Sequence, residues 1–299
     1  MKLIPEYRIS KREIELNAQM PYVIATNNPD KVHDHFLGDL HFALQICIII
    51  EGEFEAAYPD SDNFCRRLEK GQLFISSVWE AHAVRELSHP SKMMAISFSI
   101  ENLGFHGVED DELNWFAPFA LHPSLRPYGE TSESREKILE IAENIDFMNK
   151  AKPFAHKTKI WLKILELVLY LSEIVPLPKG VVRPQPIERI IQAVLMVQNA
   201  AGTGYPTIHE CAAACGLSRS RFSNIFSSVM GFSFGRFIVR SKMSKAARLV
   251  RNSSSPFKEI AAECGFCDLS SFHHAFRNYF KCAPGEFRKN ASLLKDNII

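Results

Sequence analysis

Between residues 20 and 100 the apolar side chains recur at every second position. Phe42, Leu44, Ile46, Ile48 and Ile50 fall on one face of an extended segment, because successive strand side chains point to opposite sides of a sheet. Glu51-Gly52 ends that segment, and Phe54, Ala56 and Tyr58 begin another. Gly71 precedes the run Leu73–Ser76, and Met93–Ile100 reads as a further buried strand. Short strands at this spacing predict a small β-sandwich or barrel. The alternate face of the Phe42 strand carries His41, Ala43, Gln45 and Cys47, and it is assigned to the interior.

The period changes after residue 130. Thr131 or Ser132 can cap a helix that places Ile138, Leu139, Ile141, Ile145 and Met148 on its apolar side. A second helix, near 156–174, aligns Ile160, Leu162, Ile164, Leu165, Leu167, Val168 and Leu171. That stripe is wider than one helix needs, and a dimer contact or packing on the strands accounts for it equally well. Residues 176–186, PLPKGVVRPQP, hold four prolines and a glycine, which cannot continue a helix. They read as a linker between a unit at 1–175 and a unit at 187–299.

Beyond the linker the pattern is helical and partly duplicated. IHECAAACGL at 208–217 resembles FKEIAAECGF at 257–266, so that Glu210, Ala212, Ala213, Cys215 and Gly216 recur 49 residues later. Phe226 recurs as Phe276, with one residue inserted. Each copy reads as helix, tight turn, helix. Small alanines allow close approach, and Gly216 and Gly265 sit where a left-handed backbone suits glycine. Ser218 and Asp268 can cap the following helix. This is the pattern of a helix-turn-helix, at about 207–228 and 257–280, whose second helix enters the major groove. Core positions leave Arg219, Ser220, Arg221, Ser223 and Asn224 outward on the first such helix. On the second they leave Ser270, Ser271, His273, His274 and Arg277. Hydroxyls, amides and cations suit base edges and phosphates.

Charge sharpens this picture. The net charge of +1 divides into +9 from Arg183 onward and −8 before it, so the helical part is the one suited to a polyanion. Seven cysteines in a 299-residue chain without a recognisable leader read as reduced thiols of a cytoplasmic protein. Cys264-x-x-Cys267 has a zinc-like spacing, but Cys264 falls at the small buried position of the repeat, matching Cys215, so packing explains it. The longest apolar stretch, Phe42–Ile50, is too short for a membrane span. No nucleophile motif or glycine-rich phosphate loop occurs, and the chain is assigned neither catalytic residues nor a cofactor.

Residues 187–289 resemble the DNA-binding domain of the AraC/XylS family of bacterial transcription regulators. The resemblance rests on GLSRSRFSNIF, on FIVRSKMSKAARLV, and on CGFCDLSSFHHAFRNYFKCAPGEFR, with its aromatic spacing over Gly265–Arg288. It implies that Ser220, Ser223, Asn224, Ser270, Ser271, His273 and His274 read bases. Arg219, Arg221, Arg277 and Lys281 are candidates for phosphate contact. One subunit would place both reading helices in successive major grooves, about 34 Å apart. Lys281-Cys282 departs from the usual glycine-containing turn before Pro284.

Asp39-x-His41-x3-Gln45-x6-Gly52 and Gly71-x5-Ser77-x-Trp79-x2-His82 resemble cupin motifs, with Asp and Gln replacing a His and a Glu, and Ser and Trp replacing Pro and Gly. The expected architecture is therefore two-domain α+β: a cupin-like β-barrel with flanking helices, then an all-α domain with two helix-turn-helix units. His33, His35, His41, Gln45, Trp79 and His82 are the candidate effector residues. A small molecule, with sugar the preferred class, is expected ahead of a metal, because no carboxylate completes the cupin set. The reading is an effector-controlled, homodimeric DNA-binding regulator, with RNA polymerase a further candidate partner. Its rivals are a metal-dependent cupin enzyme or metal sensor fused to a DNA-binding domain, and an architectural DNA binder with a non-sensing barrel.

Overall fold

A computed structural model describes residues 6–7, 16, 21–26, 37–39, 41–59, 61–100, 115–175, 189–200, 204–280 and 282–289. The linker at 176–186 and the candidate residues His33, His35 and Lys281 lie outside them.

Among the described residues, nine strands belong to the amino-terminal part: β1 (Glu6–Tyr7), β2 (Tyr22–Thr26), β3 (Leu37–Asp39), β4 (Leu44–Glu51), β5 (Glu53–Tyr58), β6 (Phe64–Glu69), β7 (Leu73–Ser76), β8 (His82–Glu86) and β9 (Lys92–Phe98). They make two sheets, ordered β1-β3-β8-β5-β6 and β2-β9-β4-β7. All pairings are antiparallel except β1 with β3. The expected cupin-like barrel is not shown: among the described residues no ladder joins the two sheets.

Strand β4 is apolar on both faces because both are covered. Leu44, Ile46 and Ile48, with Leu73, Ile75, Met94, Ile96 and Phe98, share a core with the helical layer. Cys47, Ile49 and Phe74 turn the other way, onto Phe54, Ala56, Tyr58 and Leu68 of the second sheet. The helical layer is α2 (Ser132–Ala151) and α3 (His156–Glu173), preceded by the short α1 (Ala117–Ala120). Thr131 caps α2 by accepting from the Ser134 amide. Ile138, Ile141 and Ile145 of α2 and Ile160, Ile164, Leu167, Val168 and Leu171 of α3 are fully or almost fully buried. Each such side chain contributes about 1.5–3 kcal/mol. The broad α3 stripe is therefore used largely within the chain, although Leu162 stays 59% exposed.

The described elements of the carboxyl-terminal part are helices: α4 (Ile191–Gln198), α5 (Ile208–Ala214), α6 (Arg219–Met230), α7 (Phe234–Asn252), α8 (Phe257–Glu263) and α9 (Leu269–Phe280). Helix α7 packs against α4, α6, α8 and α9. Its lysines close the end of α8: Lys242 Nζ donates to the Gly265 carbonyl (2.7 Å) and Lys245 Nζ to that of Glu263 (2.8 Å). Cations at a helix carboxyl end satisfy its free carbonyls and dipole.

Candidate nucleic-acid interface and buried histidine cluster

The turns of the two repeats fold alike. In the first, the amides of Cys215, Gly216 and Leu217 reach the carbonyls of Cys211, Ala213 and Ala212. In the second, those of Cys264, Gly265 and Phe266 reach Ile260, Ala262 and Ala261. Gly216 and Gly265 take φ of +64° and +71°. The Ser218 side chain accepts from the Arg221 amide, and Asp268 Oδ1 from that of Ser271 (2.7 Å). Backbone and side-chain bonding by Ser271 holds the Asp268 carboxyl below the usual carboxylate range. Burial pushes the Cys264 thiol up to about 12, so it is an inert packing residue, while Cys267 is exposed.

Phe222, Ile225 and Phe226 of α6, and Phe272, Phe276 and Phe280 of α9, face the core. Arg219, Ser220, Arg221 and Asn224 on α6 are exposed, as are Ser270, Ser271, His274 and Arg277 on α9; Ser223 is half-buried. His273 departs from the outward placement expected of it. Its ring packs edge-on against Phe257 (5.8 Å) and Phe272 (5.7 Å), because its position on α9 faces the preceding helix. The aromatic spacing that carried the family resemblance is core: Phe276 meets Phe280 and Phe287 at 4.5 and 5.3 Å. The closing arginine is structural too, as Arg288 donates to the carbonyls of Val250 and Ser255 and covers Phe257.

At the sheets, His41 and Gln45, which the alternation put on one face, come together with His82. His82 Nδ1 donates to the Glu80 carbonyl (2.8 Å), and its Nε2 lies 3.0 Å from Gln45 Oε1. Gln45 Nε2 donates to Ser97 Oγ (3.0 Å). The rings of His41 and His82 meet edge-on at 5.1 Å. Burial, then the neighbouring His41, push the His82 pKa down, which favours the neutral imidazole. Asp39, absent from the predicted site, pairs with His82 across the ladder. One ligand atom from each of Asp39, His41 and His82 lies within 4.8 Å of the others.

Trp79 is not an open platform. It is 6% exposed and lies against Phe42 (4.7 Å) and against Phe237 of α7 (5.0 Å). Its amide donates to the His41 carbonyl (2.8 Å), and its own carbonyl accepts from Tyr279 Oη on α9 (3.4 Å). The sequence also did not single out Glu80 and Arg126. Arg126 Nη1 and Nη2 donate to the two Glu80 oxygens at 2.6 and 2.9 Å, and Nη1 reaches the Ile75 carbonyl. Burial pushes the Glu80 carboxyl up, but Arg126, with Arg240 and the Ser77 amide, holds it below its ordinary value. Such pairs leave no local sequence signal, because 46 residues separate the partners.

Two helix-turn-helix units joined by one helix, each with an exposed polar second helix, make up a double helix-turn-helix domain. Residues 211–290 match the family model described as a helix-turn-helix domain. The chain is similar to an uncharacterized HTH-type transcriptional regulator of Haemophilus influenzae, 34% identical over 86 residues, 29% of each chain. It is also similar to the RCS-specific HTH-type transcriptional activator RclR of Escherichia coli, 31% identical over 29% of this chain and 31% of that one. Thus each match spans less than a third of the relative's own length. ToxT of Vibrio cholerae is similar in structure over 91% of this chain and 98% of its own, at 14% identity and a TM-score of 0.49. The carboxyl-terminal part is thus similar to the helix-turn-helix domains of transcription regulators.

Proposed function

We propose that the chain is a sequence-specific DNA-binding transcription regulator whose activity is set by a small effector bound between the amino-terminal sheets. The duplicated unit carries this reading: α6 and α9 each bury an aromatic face and expose hydroxyl, amide and cationic side chains. Asn224, Ser220 and Ser223, with Ser270, Ser271 and His274, are the proposed base readers. Arg219, Arg221 and Arg277 are the proposed phosphate contacts, with Lys281 beside them. The half-buried His273 is a weaker reader than its neighbour. Selection of bound duplexes from a random library, followed by binding curves at several salt concentrations, tests this. A narrow consensus with salt-sensitive affinity is expected; affinity independent of both sequence and salt rejects it.

The effector site is proposed at His41, Gln45 and His82, with His33 and His35 as further candidates. A sugar remains the sequence-based preference, yet the Trp79 ring is committed to Phe42 and Phe237, so it does not supply a free stacking face. We also propose a homodimer. Phe147, Phe154 and Leu162, exposed by 64%, 91% and 59%, flank the turn between α2 and α3. Sedimentation of Leu162→Lys as a monomer, against a wild-type dimer, would support that contact.

A further inference from the structure

We infer that Asp39, His41 and His82 form a divalent transition-metal site, and that a metal ion is the effector to which the DNA-binding helices respond. This rests on reading the chain as an effector-controlled regulator and names the chemistry of its signal.

The donor set is two imidazoles and one carboxylate, which suits zinc and the other first-row divalent ions from manganese to copper. The fold places it. Asp39 and His82 are directly opposed on β3 and β8, and His41 follows Asp39 by two residues. Their ligand atoms lie within 4.8 Å of one another. His41 supplies a second, independent observation: it is 8% exposed, and neither ring nitrogen has a hydrogen-bond partner. A buried polar group without a partner costs free energy and calls for an explanation. A bound cation is one, since an imidazole nitrogen lone pair is a ligand.

His82 is prepared in the manner of a metal-ligating histidine. A carbonyl can only accept, so Nδ1 carries the proton that bonds the Glu80 oxygen, and the neutral ring presents the Nε2 lone pair. Fixing the tautomer through the other nitrogen is the usual support for a histidine ligand. That lone pair faces the Gln45 amide oxygen at 3.0 Å, two acceptors in contact. Rotating the amide would answer His82 but leave His41 unanswered; an ion would answer both.

The same residues frame the contact with the DNA-binding part. His41 accepts from the Trp79 amide, and His82 ends the turn that contains Trp79 and Glu80. Trp79 in turn meets Phe237 of α7 and Tyr279 of α9. Ligand atoms around an ion with bonds of about 2.1 Å stand roughly 3.0–3.4 Å apart. The three ligand atoms lie within 4.8 Å of one another, so an ion held by them would tie His41 and His82, which flank the Trp79 turn, to one centre.

The test uses the full chain, stripped by chelator and titrated with Co(II). One equivalent with visible d–d absorption is expected, and it is lost in both His41→Gln and Asp39→Asn. Duplexes selected with metal-free protein then report coupling. Zn(II) should change wild-type affinity by about tenfold and leave both variants within twofold. Duplex binding by the metal-free variants shows that they are folded. No Co(II) uptake, or uptake that survives both substitutions, overturns the site; uptake with unchanged DNA affinity overturns its role as effector. Duplex binding that responds to a sugar and ignores metal would overturn this inference while sparing the regulator. Failure to bind any duplex would instead overturn the regulator reading itself.

Discussion

Glu80 holds a negative charge in a place where burial alone would favour its protonation. Arg126 makes the difference through two short bonds, and the pair is anchored to the carbonyls of Ile75, Phe119 and Leu121. Removing one member of such a pair leaves the other buried without its counter-charge, a loss of about 3–5 kcal/mol. Glu80→Ala should therefore lower the urea midpoint sharply at neutral pH. The Glu80 pKa in the fold is depressed, so its contribution is complete above the unfolded value of about 4.3. It fades as pH falls through the folded value. The gap between wild type and Glu80→Ala should accordingly narrow below pH 4; a gap constant from pH 7 to pH 3 would contradict the ionised pair. Trp79 is also out of its ordinary habit. Its φ of +49° is a left-handed conformation that costs an L side chain about 1–2 kcal/mol, at a position where the resembling motif carries glycine. Contacts of the ring with Phe42 and Phe237 offset that cost.

At the level of elements, α6 and α9 divide into a core face and a reading face. Asn224 and Arg219 share the outer face of α6, yet they are expected to act differently. An amide reads base edges, whereas an arginine at the first turn meets phosphate. Asn224→Ala should change which bases are preferred, by about 1–3 kcal/mol at one position. Arg219→Ala should weaken binding to all duplexes alike and reduce the salt slope by about one. Identical, uniform weakening by both would contradict the assignment. At the start of α9, Asp268→Ala removes the cap and should lower the thermal midpoint, with little change in DNA consensus. These helices were legible in the sequence because helix, turn and cap are local: Gly216, Gly265, Ser218 and Asp268 all act within four residues. The sheets were legible only as strands. The alternation in Phe42–Ile50 shows which side chains share a face, but not that β3 pairs with β8 in the register that sets Asp39 beside His82. For the same reason the predicted site had its histidines and Gln45 but lacked its carboxylate. His273 was misplaced because a polar residue on a mostly polar stretch gives no sign of the Phe257 ring above it.

Across the whole molecule, the amino-terminal part and the carboxyl-terminal helices meet along a seam. Trp79 reaches Phe237 and Tyr279, Arg240 adds its charge to Arg126 at Glu80, and Gly231 at the end of α6 lies against Ala120 of α1. Buried residues of both parts belong to one continuous cluster, so unfolding is expected to be a single transition seen alike by tryptophan fluorescence and circular dichroism. Two glycines allow the seam to be tested against its own control. Gly216 and Gly231 have nearly the same backbone, φ of +64° and +74°, so alanine at either meets a similar conformational cost of about 1–2 kcal/mol. They differ in surroundings: a β-carbon at 216 meets nothing within 4 Å, whereas one at 231 runs into the Ala120 carbonyl oxygen. That oxygen is backbone, so α1 and the end of α6 must separate to admit the methyl group. Gly216→Ala should then lower stability while leaving the two probes superimposed. Gly231→Ala should lower it further and pull the probes apart, because the sheets and the helices no longer unfold as one. Should both substitutions give equal losses with coincident transitions, the seam would have no energetic weight, and the Trp79 turn would lose its path to the DNA-binding helices.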